Sequence, residues 1–154
     1  MASSPNHSID EEVLMLLVRE RLAAGYKVRY LPFKGVSMLP MLRQGKDRVE
    51  LGPLPQQLKK YDLPVYQMPS GKYLMHRVLK VTPTHYICLG DNTLEYETIY
   101  PEQMIGVVTA FQRNGKRIEV TNPLYRLYCL IWGHTRPLRI LYKRFREKTK
   151  RRPK

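Results

Sequence analysis

The sequence predicts a mainly β, partly closed, barrel-like domain with a helix before it and a basic helix after it. Three observations carry that expectation. Short runs rich in β-branched and aromatic residues recur between residues 27 and 122, punctuated by Gly and Pro. Apolar residues near the start fall at helical spacing, and so do those near the end, where cations crowd in. With 154 residues and 43% hydrophobic content, the chain has material for one core plus terminal extensions. The expected organisation is a tail and helix over 1–26, a β-rich domain over 27–122, and a basic amphipathic extension over 123–154.

Residues 1–7 read as a loose tail. Ser8 is placed to cap a helix, with Glu11 three residues on completing a capping box. Asp10, Glu11 and Glu12 put negative charge in the first turn, where the helix dipole favours it. Val13, Leu14, Leu17 and Val18 mark the apolar face, and Gly25 is a stop signal, so a helix is expected from Ile9 to Ala24. Strands are expected at Val28–Phe33, Asp47–Leu51, Tyr73–Val81, Tyr86–Leu89, Met104–Arg113 and Arg117–Val120. Asn114-Gly115, between the last two, is a hairpin signal because both turn positions want positive φ. After Asn122-Pro123, residues Leu138, Leu141, Tyr142 and Phe145 share one helical face while Arg136, Arg139, Lys143 and Arg146 lie largely elsewhere, and Lys148–Lys154 is almost wholly basic. Such a helix either lies in a membrane interface with its cations among headgroups or packs on the β domain with a solvated tail.

A net charge of +14 and a pI near 10.0 imply an acidic partner: anionic lipid, nucleic acid or an acidic peptide. Cys88 and Cys129 make neither a metal-ligand spacing nor a disulfide framework. Cys88 lies in the apolar run Tyr86-Ile87-Cys88-Leu89 and reads as a small buried hydrophobe. Reduced thiols suit a cytosolic setting. A membrane span needs about 20 consecutive apolar residues, and Val13–Val18 and Leu127–Trp132 fall far short. The N-terminus lacks the basic, apolar and small-residue order of a signal peptide. The expected location is therefore cytoplasmic, with peripheral membrane contact left open.

Three short blocks carry groups suited to nucleophilic chemistry. Gly35-Val36-Ser37-Met38-Leu39-Pro40 supplies a serine, Met75-His76-Arg77-Val78 an imidazole, and Leu89-Gly90-Asp91-Asn92 a carboxylate. A serine hydroxyl is a poor nucleophile at neutral pH unless a base stands within hydrogen-bond reach. A histidine can accept a proton there without burial. In this order the blocks resemble the serine peptidases of the signal peptidase and SOS-repressor superfamily, over roughly residues 27–120. The resemblance implies Ser37 as nucleophile and His76 as base, the base being His in the endoplasmic-reticulum and archaeal-like branch. Ile105-Gly106-Val107-Val108 matches the strand that closes the domain in that superfamily.

For the third member the resemblance offers two carboxylates: Asp91, from the Gly-Asp-Asn block and slightly preferred, and Glu97, six residues on. Arg77 is expected to pair with a nearby carboxylate. Gly35 stands where signal peptidases often carry a second Ser, so the oxyanion would rest on backbone N–H groups, that of Ser37 included. The implied function is a short, signal peptidase-like serine endopeptidase that cuts a leader-type peptide after small residues, with no cofactor. The alternative is a repressor-like binding module, non-catalytic or self-cleaving, with a basic tail for nucleic acid. Ala23-Ala24-Gly25 resembles a small-residue cut site, or is simply a helix end with a Gly cap. A peptide or protein substrate and an anionic membrane surface are the expected partners. Nucleic acid ranks below them, because no helix-turn-helix-sized domain precedes the β region.

Overall fold

The computed structural model describes residues 5–31 and 34–150, and side chains within 11–29 and 34–149. By its internal contacts the chain divides after Val120. The first unit holds helix α1 (Pro5–Ala23) and strands β1 (Val28–Leu31), β2 (Arg48–Gly52), β3 (Pro64–Gln67), β4 (Tyr73–Met75), β5 (Arg77–Val81), β6 (Tyr86–Leu89), β7 (Glu97–Ile99), β8 (Met104–Arg113) and β9 (Lys116–Glu119). The second holds α2 (Pro123–His134) and α3 (Arg136–Lys150).

Helix α1 begins at Pro5, so Ser8 lies inside it and is not its cap. Residues 5–7, expected as tail, are its first turn. The buried face is also turned from the expected one. Met15, Val18 and Leu22 are buried, at i, i+3 and i+7, whereas Val13, Leu14 and Leu17 are exposed. The reason lies in β8: a Cβ at Gly106 would stand 2.5 Å from Leu22 Cδ1, and the missing side chain lets the helix close on the strand. The helix stops as expected at Gly25, φ +83. Tyr26 N–H donates to the Arg21 carbonyl and Gly25 N–H to that of Leu22, each at 3.0 Å, a Schellman closure. Ala23-Ala24-Gly25 is thus a capped helix end.

The strands form two antiparallel sheets. One has the order β1-β2-β8-β3-β4, with β9 also on β8, and the other has the order β5-β6-β7. The ten-residue β8 organises the larger sheet, pairing with β2 through residues 107–112, with β3 through 104–107 and with β9 through 110–113. Asn114 (φ 50) and Gly115 (φ 76) close the last hairpin as expected. Neither sheet closes into a barrel, and with about 30% strand and 31% helix the protein is mixed α and β, which corrects the mainly β expectation. The helices added most to that difference, since α2 was not foreseen as an element. Between the sheets, Tyr66, Val78, Tyr86, Cys88, Ile99 and Met104 form one buried cluster drawn from both.

The Tyr73–Val81 run, expected as one strand, breaks after Met75. Met75 pairs with Val65 in the larger sheet, whereas Arg77 pairs with Leu89 in the smaller one. His76 is the single residue at which the chain changes sheets. In the second unit, Asn122 caps α2 by accepting from the Leu124 and Tyr125 N–H groups at 2.9 and 3.3 Å, with Pro123 in the first turn. No helix among the described residues is long and apolar enough to cross a membrane.

Candidate active site

Ser37 lies half-buried on the loop between β1 and β2. Met38, Met41 and Leu42 anchor that loop in the core. Gly35 takes φ +88 there and donates its N–H to Gln44 Oε1 at 2.7 Å. The loop is tied to the turn after β6. Asn92 N–H donates to the Ser37 carbonyl at 2.7 Å and Asn92 Nδ2 to the Val36 carbonyl at 3.1 Å. A Cβ at Gly90 would stand 2.8 Å from Ser37 O, so only glycine permits this approach. The first and third sequence blocks therefore meet.

The second block joins them through Arg77. Its Nε donates to Asp91 Oδ1 and its Nη2 to Asp91 Oδ2, both at 2.8 Å, with side-chain exposures of 1% and 2%. A fork of this kind, out of water, fixes two residues in one geometry. Nη2 also reaches Met41 Sδ at 3.1 Å and Nη1 the Tyr61 carbonyl at 3.3 Å. Arg77 thus finds the carboxylate expected of it. The same bond corrects the preference for Asp91 as the partner of His76, because both Asp91 oxygens face a guanidinium.

The acid that meets the imidazole is Glu97, on β7. His76 is 4% exposed, and its Nδ1 lies 2.6 Å from Glu97 Oε2. Tyr66 Oη donates to the same oxygen at 2.5 Å, and its ring meets the imidazole edge-on, centroids 6.3 Å apart. Burial pushes the Glu97 carboxyl up, but the hydrogen bonds from His76 and Tyr66, with the nearby charges of His76 and Lys72, outweigh it and hold the group below its usual value. Burial first, then the bond to Glu97, raises the Tyr66 hydroxyl well above its ordinary range, so it stays a donor. Burial, with the Glu97 charge behind it, pushes the Cys88 thiol up to about 12. That thiol is an inert part of the core.

An ionised carboxylate can only accept, so Nδ1 is the donor of this bond, and in the neutral imidazole Nε2 is the nitrogen that accepts a proton. Nε2 is buried and has no hydrogen-bond partner among the described residues. The bond from Ser37 Oγ to Nε2 is accordingly not made in this structure. Contacts of this kind commonly tighten only around substrate. The main-chain N–H groups of Ser37 and Met38 have no acceptor among the described residues. No cluster of three or more His, Cys, Asp or Glu suited to a metal ion gathers among those residues.

Tyr66 was not foreseen as part of the site. Its strand opens with Pro64, which breaks a strand pattern in sequence, although the first position of a strand tolerates proline. A tyrosine inside an apolar run, needing a partner for its hydroxyl, was the available signal. No protein-family model, no curated protein and no solved structure matches this chain.

Proposed function

We propose that the protein is a serine endopeptidase in which Ser37, His76 and Glu97 act together. Ser37 Oγ attacks a peptide carbonyl as its proton passes to His76 Nε2, and the Oγ–C bond forms. The negative oxygen is held by the N–H groups of Ser37 and Met38, worth about 3 kcal/mol for one such donor. The imidazolium then gives its proton to the amide nitrogen, the C–N bond breaks and the amine departs. Water, deprotonated by the same Nε2, releases the acyl group and restores the serine. Glu97 keeps the proton on Nδ1 and offsets the charge of the imidazolium, while Tyr66 fixes the carboxylate. The resemblance to signal peptidases adds a preference for small residues before the cut.

One observation carries this reading: a buried imidazole, at the junction of β4 and β5, with Nδ1 on a carboxylate and Nε2 unpartnered among the described residues, next to the Arg77 that bonds Asp91 in the turn holding the Ser37 loop. Most buried polar side-chain atoms are hydrogen-bonded, so a histidine at 4% exposure with one nitrogen left without a protein partner is suited to take up a proton there. Labelling the folded protein with a serine-reactive acylating probe tests the nucleophile. Adduct mass on the peptide containing Ser37, lost in Ser37→Ala and in His76→Ala, is the expected result. Equal labelling of the wild type and Ser37→Ala would remove Ser37 from the role.

A further inference from the structure

Helix α3 presents an apolar stripe to solvent. Leu138, Leu141, Tyr142 and Phe145 are 65–70% exposed and recur at i, i+3, i+4 and i+7. Monomeric surfaces carry single exposed apolar residues without consequence, but a contiguous strip of four large ones marks a contact surface. The strip extends N-terminally. Thr135 is helical in φ and ψ; its N–H donates to the Ile131 carbonyl and its own carbonyl accepts from Arg139 N–H. The hydrogen-bond ladder therefore passes from α2 into α3. Leu124, Ile131, Leu138 and Phe145 stand seven residues apart along it, all exposed, and two helical turns return a residue to nearly the same side.

The charges around the strip are ordered too. At 3.6 residues per turn, Arg146 falls along one edge of the α3 stripe, with Arg139, whose guanidinium lies over the Trp132 ring, and Arg144 and Lys148 fall along the other. Glu147, the only carboxylate of the helix, falls on the opposite side together with Arg136 and Lys143. Cations flank the apolar residues where headgroups would stand, and the single anion points away from them.

We infer that α2 and α3 form an interfacial element that lies on an anionic bilayer, the stripe in the acyl boundary and the flanking cations among the headgroups. Charge decides among the rival occupants. A second copy of α3 would bring two strongly cationic helices together along the same seam, which like-charge repulsion opposes. Nucleic acid would satisfy the cations but leave Leu138, Leu141 and Phe145 in water, since phosphate contacts need only cations and hydrogen-bond donors. Only a surface that is both apolar and anionic satisfies both sets. The inference is independent of the peptidase reading, because none of Ser37, His76 and Glu97 belongs to this unit.

The test is co-sedimentation of the full chain with vesicles of phosphatidylcholine alone and of phosphatidylcholine with one-third phosphatidylserine. The wild type is expected to pellet with the second, and roughly tenfold less well with the first or at high salt. Leu138→Ser/Leu141→Ser/Phe145→Ser keeps every charge and should bind the anionic vesicles roughly tenfold more weakly. Arg144→Gln/Arg146→Gln/Lys148→Gln keeps the stripe and should lose the preference for phosphatidylserine. Unchanged circular dichroism and thermal midpoint show that each variant has folded, and one that has not is replaced by the matching single substitutions. Four results would overturn the inference: no pelleting of the wild type, undiminished pelleting of the serine variant, duplex DNA or RNA bound more tightly than the vesicles, or a dimer in sedimentation velocity that the serine variant abolishes.

Discussion

Glu97 Oε2 accepts from two donors at once, and the two carboxylates of the site therefore have separable jobs. Glu97→Gln removes the charge facing the imidazolium while keeping shape, and is expected to lower turnover roughly 1,000-fold with little change in the denaturant midpoint. Asp91→Asn leaves a buried guanidinium short of its counter-charge. Its effect is expected on stability, a loss of about 3–5 kcal/mol read from urea unfolding. If the two variants exchanged these phenotypes, the assignment of the acid would be reversed. Tyr66→Phe deletes one of the two donors to Glu97, so that carboxyl should titrate at higher pH than in the wild type, followed by carbon NMR of the side chain. An unmoved titration would mean that the Tyr66 bond contributes nothing to the site.

At the scale of elements, Glu50 on β2 is the buried hub of the larger sheet. Arg29, next to it on β1, lies 3.1 Å away and Lys27 3.4 Å; Arg117 on β9 reaches it at 3.0 Å and Thr109 on β8 at 2.9 Å. Burial works to raise this carboxyl, but Arg117, Thr109 and Lys27 prevail and lower it to about 2. The folded state therefore binds its proton less readily than the unfolded chain. The stability this provides is complete above the ordinary value of 4.5 and is lost as pH falls from there through about 2. Glu50→Gln should flatten that part of the stability curve, measured as urea midpoints between pH 7 and pH 3. A wild-type loss no greater than that of the variant would dismiss the hub. Much at this scale was legible beforehand. The β6 and β8 limits, the Asn114-Gly115 hairpin and the Gly25 cap all follow from local chemistry. What escaped were features set by distant partners. The face of α1 is chosen by the bare Gly106, β3 is hidden behind Pro64, and the break at His76 exists because Met75 and Arg77 pair with different sheets. Residues 32 and 33, expected to end β1, lie outside the described residues.

At the scale of the whole molecule, three blocks far apart in sequence meet through a short series of bonds: Ser37 to Asn92, Asp91 to Arg77, and Arg77 beside His76. Their order in sequence singles out the serine and the imidazole as candidates. The acid is not legible there, because Asp91 and Glu97 are told apart by tertiary contact alone: Glu97 meets His76 Nδ1 and Asp91 meets Arg77. These residues all precede Val120, where the chain divides. A chain ending at Val120 is expected to unfold cooperatively in urea and to keep turnover on a short soluble peptide within about threefold, differences that small being under 1 kcal/mol. Loss of turnover in a folded truncation would show that α2 or α3 completes the site.

The central claim is that Ser37 and His76 are one chemical unit, and the most direct measurement of it is peptide cleavage followed by mass spectrometry. Peptides carrying small residues in a leader-like context are incubated with the wild type, Ser37→Ala, His76→Ala and the double variant. The account predicts a cut at a defined bond by the wild type, near-complete loss in each single variant, and a double variant hardly worse than either, since members of a catalytic unit are not additive. Cleavage that persists in folded Ser37→Ala, or a folded wild type that cuts nothing in the series, would contradict it.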